Sequence, residues 1–171
     1  MAKKKNSKNR GFISAISALL GIVAIIMIIE PAISVKDSET TYTGLQITLG
    51  YTESSLLGDV THFEFSFMNA LAYLFALGGV VFVFLSALGK GSKFASFIAF
   101  IAFVASAIFF FMSIELCIPN KDIEKVISSL GGLFGTSTSI KDSFVLAFGT
   151  FVSAGCSILA GLIMAYKAFA K

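Results

Sequence analysis

Long apolar stretches without charged interiors alternate with short polar stretches along the whole chain. Four of them consist almost entirely of aliphatic, aromatic and small residues, at 12–30, 65–88, 94–116 and 143–166. About 20 helical residues cross the ~30 Å hydrocarbon layer of a bilayer, so each stretch is long enough to span it. The pattern predicts an all-α membrane protein, an antiparallel bundle of four transmembrane helices.

The connections between these stretches differ in length. We expect cytoplasmic tails at 1–11 and 167–171, an inner turn at 89–93, and outer loops at 31–64 and 117–142. Residues 120–135 carry apolar residues at helical spacing between charges. They are interpreted either as an amphipathic helix at the interface or as a polar loop, and both readings stay open.

The first outer loop has a period of two instead of 3.6. Apolar and polar residues alternate over 43–51 and again over 60–65, which is typical of strands. The pattern predicts a small extracellular β hairpin or sheet in this loop. Two strands alone are marginally stable, so we expect docking on the bundle or a third strand near 33–35.

The two faces of the first predicted strand have different expected roles. The apolar face is expected to be buried on the bundle and comprises Leu45, Ile47, Leu49 and Tyr51. The other face is expected to be open for recognition and comprises Gln46 and Thr48. Leu45, Gln46, Ile47, Thr48 and Tyr51 together form the predicted recognition strand.

Charge then gives the orientation. The tails and the inner turn hold nine of the thirteen Lys and Arg residues and no carboxylate. The outer loops hold four Lys and eight carboxylates, and the other two carboxylates, Glu30 and Glu115, lie at the outer ends of spans. The positive-inside rule therefore places both termini in the cytoplasm, and we expect the protein in the plasma membrane. The basic residues are not interleaved with aromatic residues, so nucleic acid is not an expected partner.

Composition supports the membrane class and leaves one alternative for the N-terminus. Hydrophobic residues make up 56% of the 171 residues and charged residues 13%, unlike soluble domains. The basic start, the first apolar stretch and the sequence PAIS at 31–34 also fit a cleaved signal peptide. The apolar stretch exceeds the usual ~7 to 15 residues, which favours an uncleaved first span.

Small residues predict how the helices pack. The fourth span has a small residue at every fourth position: Gly149, Ser153, Ser157 and Gly161. The third span has a small face with Ala95, Ala99, Ala102 and Ser106, and a separate line of Phe94, Phe97, Phe100 and Phe103. Small faces let helices approach in lipid, so we expect the small faces to contact other helices and the Phe line to face lipid.

Few residues carry chemistry. The single histidine, His62, is the centre of a candidate outer polar cluster completed by Glu30, Glu64, Asn69 and Glu115. These residues form either a metal or proton site or, as we favour, solvated groups at the membrane edge. Cys117 and Cys156 lie at different depths, which argues against a disulfide. The chain has no Walker loop, HExxH or GxSxG motif, so we predict neither an enzyme nor a cofactor.

The order of spans and loops resembles that of the claudin and peripheral-myelin-protein tetraspans. The sequence TGLQ at 43–46 takes the place of that family's Gly-Leu-Trp, but the chain has no Trp and no Cys before Cys117. It is also similar to small bacterial integral membrane proteins. The resemblance implies a claudin-like shape without the first-loop disulfide.

The predicted function is that of a structural, adhesion or accessory subunit. Its outer loops are expected to recognise a membrane-protein partner or a second copy, with the lipid bilayer around the bundle. The alternative is a small transporter or channel component with an acidic outer mouth. A packed, dry bundle favours the first function, and a continuous polar cavity between the helices favours the second.

Overall fold

The computed structural model describes residues 2–55, 58–89, 92–121 and 140–169, so most of the predicted amphipathic helix at 120–135 lies outside the described residues. The chain divides into two compact units. The first, here called the helical unit, comprises residues 1–27, 71–110 and 152–171. The second, here called the sheet unit, comprises residues 28–70 and 111–151.

Six α-helices occur among the described residues. The four long ones are α1 (Ala2–Ile26), α3 (Phe67–Ala87), α4 (Ser92–Phe111) and α6 (Phe148–Phe169), and the short ones are α2 (Gly44–Leu49) and α5 (Ser113–Leu116). Each long helix contains an apolar segment of 19 to 22 residues, long enough to cross a membrane. The prediction of four long apolar helices is confirmed.

Two predicted span boundaries lie five residues from the helix ends in the structure. The apolar span of the first helix, Gly11–Ile29, agrees with the predicted span at 12–30, and helix α1 also includes the predicted tail, where Ala, Lys and Arg favour helix. Helix α4 ends at Phe111 instead of 116. The start of the predicted fourth span is a 3₁₀ turn and a strand, and α6 begins only at Phe148.

Hydroxyl groups show that the long helices run antiparallel in the helical unit. Between α1 and α6, the Ser17 hydroxyl donates to the Ala160 carbonyl and the Ser153 hydroxyl to the Ala24 carbonyl, each at 3.0 Å. Between α3 and α4, the Ser106 hydroxyl donates to the Ala72 carbonyl at 2.8 Å, and the Ser86 and Ser96 hydroxyl oxygens lie 2.6 Å apart. In both pairs the residue numbers rise in opposite directions.

Phe103 lies at the centre of the helical unit and corrects the predicted lipid-facing line. Phe94 is 72% exposed, as expected of that line, but Phe103 is fully buried. Each step of three residues turns about 300° around a helix, so three steps bring the line to the opposite face. The ring packs where α1 and α3 carry Gly21 and Gly79, and a Cβ built on either glycine would lie 2.8 Å from it.

The sheet unit contains two three-stranded antiparallel sheets. One has the order β2-β1-β6, with β1 at Pro31–Val35, β2 at Thr41–Thr43 and β6 at Phe144–Leu146. The other has the order β3-β4-β5, with β3 at Tyr51–Ser55, β4 at Gly58–Glu64 and β5 at Ile118–Pro119. Strand β4 covers the predicted strand at 60–65, and β1 covers the place of the predicted third strand.

The predicted recognition strand is wrong, because residues 44–49 form α2. Its first turn is closed by a capping box: Thr43 Oγ1 accepts from the Gln46 amide at 3.3 Å, and the Thr43 amide donates to Gln46 Oε1 at 2.8 Å. The helix buries Ile47 and Thr48 and exposes Leu45 and Leu49. The predicted separation of an apolar and a polar face therefore does not hold.

Candidate functional site

Aromatic side chains from four strands meet in the sheet unit. Tyr42 of β2 is their centre: its ring centroid lies 4.8 Å from that of Phe63 on β4 and 6.3 Å from that of Phe144 on β6. The Phe63 and Phe144 centroids are 5.8 Å apart. Tyr51 of β3 completes the group, stacked on His62 at 5.5 Å. Pairing of β1 with both β2 and β6 brings Tyr42 and Phe144 together, although they are far apart in sequence.

The rings of Tyr42, Phe63 and Phe144 border a cavity of about 280 Å³. Its wall is mostly apolar, with His62, the Tyr42 phenol and Ser143 as its polar members. The lining residues are Val35, Tyr42, His62, Phe63, Pro119, Ile140, Ser143 and Phe144. A site of this kind, largely aromatic with a few polar groups, is typical of pockets that bind small ligands or single side chains.

A chain of polar contacts extends from the cavity wall. The Tyr42 hydroxyl lies 3.4 Å from His62 Nδ1, and His62 Nε2 lies 3.3 Å from Glu53 Oε2. Burial, followed by the nearby Tyr51 and Glu53, raises the pKa of the Tyr42 phenol above its ordinary value. The phenol therefore stays protonated through the physiological range and can donate a hydrogen bond.

The structure does not bring the predicted outer polar cluster together. His62 forms its ion pair with Glu53, which is not a member of the predicted cluster. The side chains of Glu64 and Glu115 are exposed. Asn69 is buried, and its Nδ2 donates to the Ser113 carbonyl at 3.3 Å. Glu30 lies between the first helical segment and β1, and its backbone carbonyl accepts a hydrogen bond from the Gly44 backbone amide. Within the described residues, no three His, Cys, Asp or Glu side chains converge in a way that would hold a metal ion.

Four members of the site were not predicted as site residues from the sequence: Tyr42, Glu53, Phe63 and Phe144. Glu53 lies in TESSLLGD, which reads as a connection, but β3 continues through it and pairs it with Val60. Tyr42 precedes the alternating stretch and gave no signal of its own. Of the predicted recognition strand, Tyr51 belongs to the aromatic group, Ile47 packs in the apolar core beside it, and Gln46 caps α2.

All four residues of the predicted packing face, Gly149, Ser153, Ser157 and Gly161, are buried. Ser153 donates to a carbonyl of α1, and the Ser157 hydroxyl lies 3.5 Å from that of Ser106 on α4. A Cβ built on Gly161 would lie 3.4 Å from Phe103. Gly149 is different, because it lies in the sheet unit against the carbonyl of Pro31 instead of against a helix.

The sheet unit also holds one buried thiol and two lysines bound to the backbone. The Cys117 thiol donates to the Ile114 carbonyl at 2.9 Å, and burial raises its pKa to about 11, with Lys141 opposing and Glu115 adding to the shift. The Lys36 ammonium group donates to the Asp142 carbonyl and that of Lys141 to the Glu115 carbonyl. Both cysteines, Cys117 and Cys156, are free.

In comparisons with known proteins, no protein-family model, no curated protein and no solved structure matches the chain. The case for function therefore rests on the sheet unit and on the apolar surface of the four long helices.

Proposed function

We propose that the chain is a multi-pass protein of the plasma membrane whose sheet unit recognises a partner on the outer side. In this proposal the four long helices span the bilayer, both termini are cytoplasmic, and the layout is claudin-like. The observation that carries the recognition role is the aromatic cavity of about 280 Å³ beside Tyr42. The partner is a membrane protein or a second copy of the chain.

The exposed surface of the helices supports insertion. Only 28% to 44% of each apolar window is buried within the chain. Large apolar side chains on every long helix are half exposed or more, among them Leu19, Leu77, Ile101 and Leu162. Contiguous apolar surface of this extent is unfavourable in water, and lipid removes that cost.

The bundle interior supports packing over transport. Its buried hydroxyl groups donate to carbonyls of neighbouring helices, as Ser17, Ser106 and Ser153 do. Such bonds are a usual means of helix association in membranes. The described parts of the long helices carry no Asp or Glu, whereas ion-coupled transport depends on charged residues near mid-membrane. The alternative of a transporter or channel component therefore receives less support.

Orientation is tested by cysteine labelling in intact cells. In a Cys117→Ser, Cys156→Ser background, Asp59→Cys places a thiol in the β3–β4 hairpin and Leu88→Cys places one after α3. We expect a membrane-impermeant maleimide to label position 59 in intact cells and position 88 only after permeabilisation. The reverse result would invert the topology.

Recognition is tested by photo-crosslinking in cells. A photoreactive residue at Val60, which is 44% exposed on β4, is compared with one at Leu159, which is 53% exposed on α6. We expect a discrete protein adduct from position 60 that is lost when Tyr42→Leu alters the cavity, and lipid adducts from position 159. An adduct at position 60 that persists in the Tyr42→Leu variant, or no adduct there, contradicts the recognition role.

A further inference from the structure

We propose that the aromatic cavity of the sheet unit binds an organic cation, an ammonium or guanidinium group, through its ring faces and the surrounding negative charge. This inference rests on the proposed function and deepens it, because it assigns the chemistry that the recognition site accepts. A free small molecule and a side chain of a partner protein both supply such a group.

The arrangement of rings is the first argument. Tyr42, Phe63 and Phe144 all border the cavity, and the Tyr42 ring is nearly perpendicular to the other two, at 79° and 87°. A group in the cavity therefore meets aromatic surface in more than one orientation. Ring faces carry partial negative charge, and cations within about 6 Å of a ring centroid are attracted to it.

Charge is the second argument. Residues 28–70 and 111–151, which define the sheet unit, contain all ten carboxylates of the chain and four of its lysines, a net charge of −6. The ammonium groups of Lys36 and Lys141 donate to backbone carbonyls. The net charge of the unit therefore favours a cationic ligand over a neutral or anionic one.

The polar members of the wall are the third argument. The cavity has a phenol, an imidazole and a hydroxyl but no lysine or arginine along its lining. Glu53 does not line the cavity, but its Oε2 lies 3.3 Å from Nε2 of His62, which does. A carboxylate therefore contacts one of the lining side chains. An anion would meet no cationic side chain among these lining residues, whereas a cation meets three aromatic rings and the hydroxyl oxygens of Tyr42 and Ser143.

The test compares choline with its neutral carbon isostere, in which a tert-butyl group replaces the trimethylammonium group. Both probes are titrated by saturation-transfer NMR against the purified full chain in maltoside micelles, which contain no choline. The two probes have nearly the same shape, so their affinity ratio isolates the charge. Desolvated cation–π contacts predict that choline binds roughly 3- to 30-fold more tightly.

Two matched substitutions locate the effect. Phe144→Leu removes one of the three rings that border the cavity and is expected to lower the affinity ratio. Phe151→Leu makes the same chemical change in the same unit but outside the cavity lining, and is expected to leave the ratio unchanged. On the unaltered chain, tetramethylammonium chloride should displace choline, while sodium chloride at equal ionic strength should not, so the test does not depend on a variant that folds.

Three outcomes would overturn the inference: equal or tighter binding of the neutral probe, the same loss of preference in both Phe variants, or no binding of either probe. The crosslinking adduct from position 60 is measured independently. If it forms while choline shows no preference, the cation site is wrong and the recognition role stands. If choline is preferred while no adduct forms, the cavity binds a small cation and the proposed partner role fails.

Discussion

The pocket for Phe103 gives a stability prediction with a control in the adjacent residue. Gly78 and Gly79 are consecutive in α3, but they face different surroundings. A Cβ at Gly79 would lie 2.8 Å from the Phe103 ring, whereas a Cβ at Gly78 would meet nothing within 4 Å. We expect Gly79→Ala to destabilise the protein and Gly78→Ala to stabilise it or leave it unchanged.

The magnitude follows from two opposing effects. Replacing a helical Gly with Ala favours the helix by up to about 1 kcal/mol at either position. At Gly79 the new methyl group meets a fully buried aromatic ring at 2.8 Å, and overpacking of this kind costs ~1–3 kcal/mol. The helix term is common to both variants, so their unfolding free energies should differ by ~1–3 kcal/mol.

The assay is reversible unfolding from maltoside micelles into SDS, followed by far-UV circular dichroism because the chain has no Trp. The double variant Gly79→Ala, Phe103→Leu should recover most of the Gly79→Ala loss, since the smaller side chain frees the space that the methyl group needs. Equal effects of Gly78→Ala and Gly79→Ala would refute the packing argument. So would a double variant whose loss is the sum of the two single losses.

Three further predictions concern single contacts. Thr43→Val removes the α2 cap and should lower the free energy of unfolding by about 1 kcal/mol, whereas the control Thr41→Val should change it little. Both variants are measured by thermal melts, and equal losses of stability would contradict the role of the cap. Ser106→Ala removes the donor to the Ala72 carbonyl and should lower the free energy of unfolding in SDS by about 0.6 kcal/mol. A decrease well above ~1.7 kcal/mol would be inconsistent with a hydrogen bond between membrane helices. For Cys117, whose pKa is raised from 9.0 to about 11, the unfolded chain loses its proton first as pH rises. The contribution of Cys117 to the unfolding free energy should therefore fall between pH 9 and 11, by about 2.7 kcal/mol at most. Cys117→Ser should make the fall smaller, and the part that remains includes the Tyr42 phenol, whose pKa is also raised.

The long helices were predictable because each contains a run of about 20 apolar residues, and this length of apolar sequence is typical of a membrane-spanning helix. The start of the fourth was not, because FVL at 144–146, like PAISV at 31–35, is an apolar run that forms a strand. Apolar runs this short do not distinguish helix from strand by periodicity. Their conformation depends on pairing with each other, across more than a hundred residues of sequence.

The α2 segment is a case in which the sequence contained the answer. Its alternation suggested a strand, but Thr43 and Gln46 have the Ser/Thr-x-x-Glu/Gln spacing of a capping box. Six residues are too few for period two to outweigh a local hydrogen-bonded start. Recognising the box would also have predicted that Leu45 and Ile47 face different sides.

The aromatic site was less predictable, since its walls come from segments that only the folded sheets bring together. Tyr42 and Phe144 are neighbours because β1 lies between β2 and β6. No local pattern in either segment points to the other. Charge was more informative: the excess of carboxylates outside the apolar stretches, read from the sequence as a topology signal, also describes the surroundings of the cavity.

Gly149 and Thr150 connect the fourth apolar stretch to that cavity. A Cβ at Gly149 would lie 2.7 Å from the Pro31 carbonyl, and the Thr150 hydroxyl donates to the Ala32 carbonyl at 2.8 Å. The Ala32 carbonyl also accepts from the Ala147 amide at 2.9 Å, directly beyond β6. The first turn of α6 thus fixes the start of β1, and β1 positions both Tyr42 and Phe144. The small residue that the sequence assigns to helix packing therefore supports the wall of the candidate binding site.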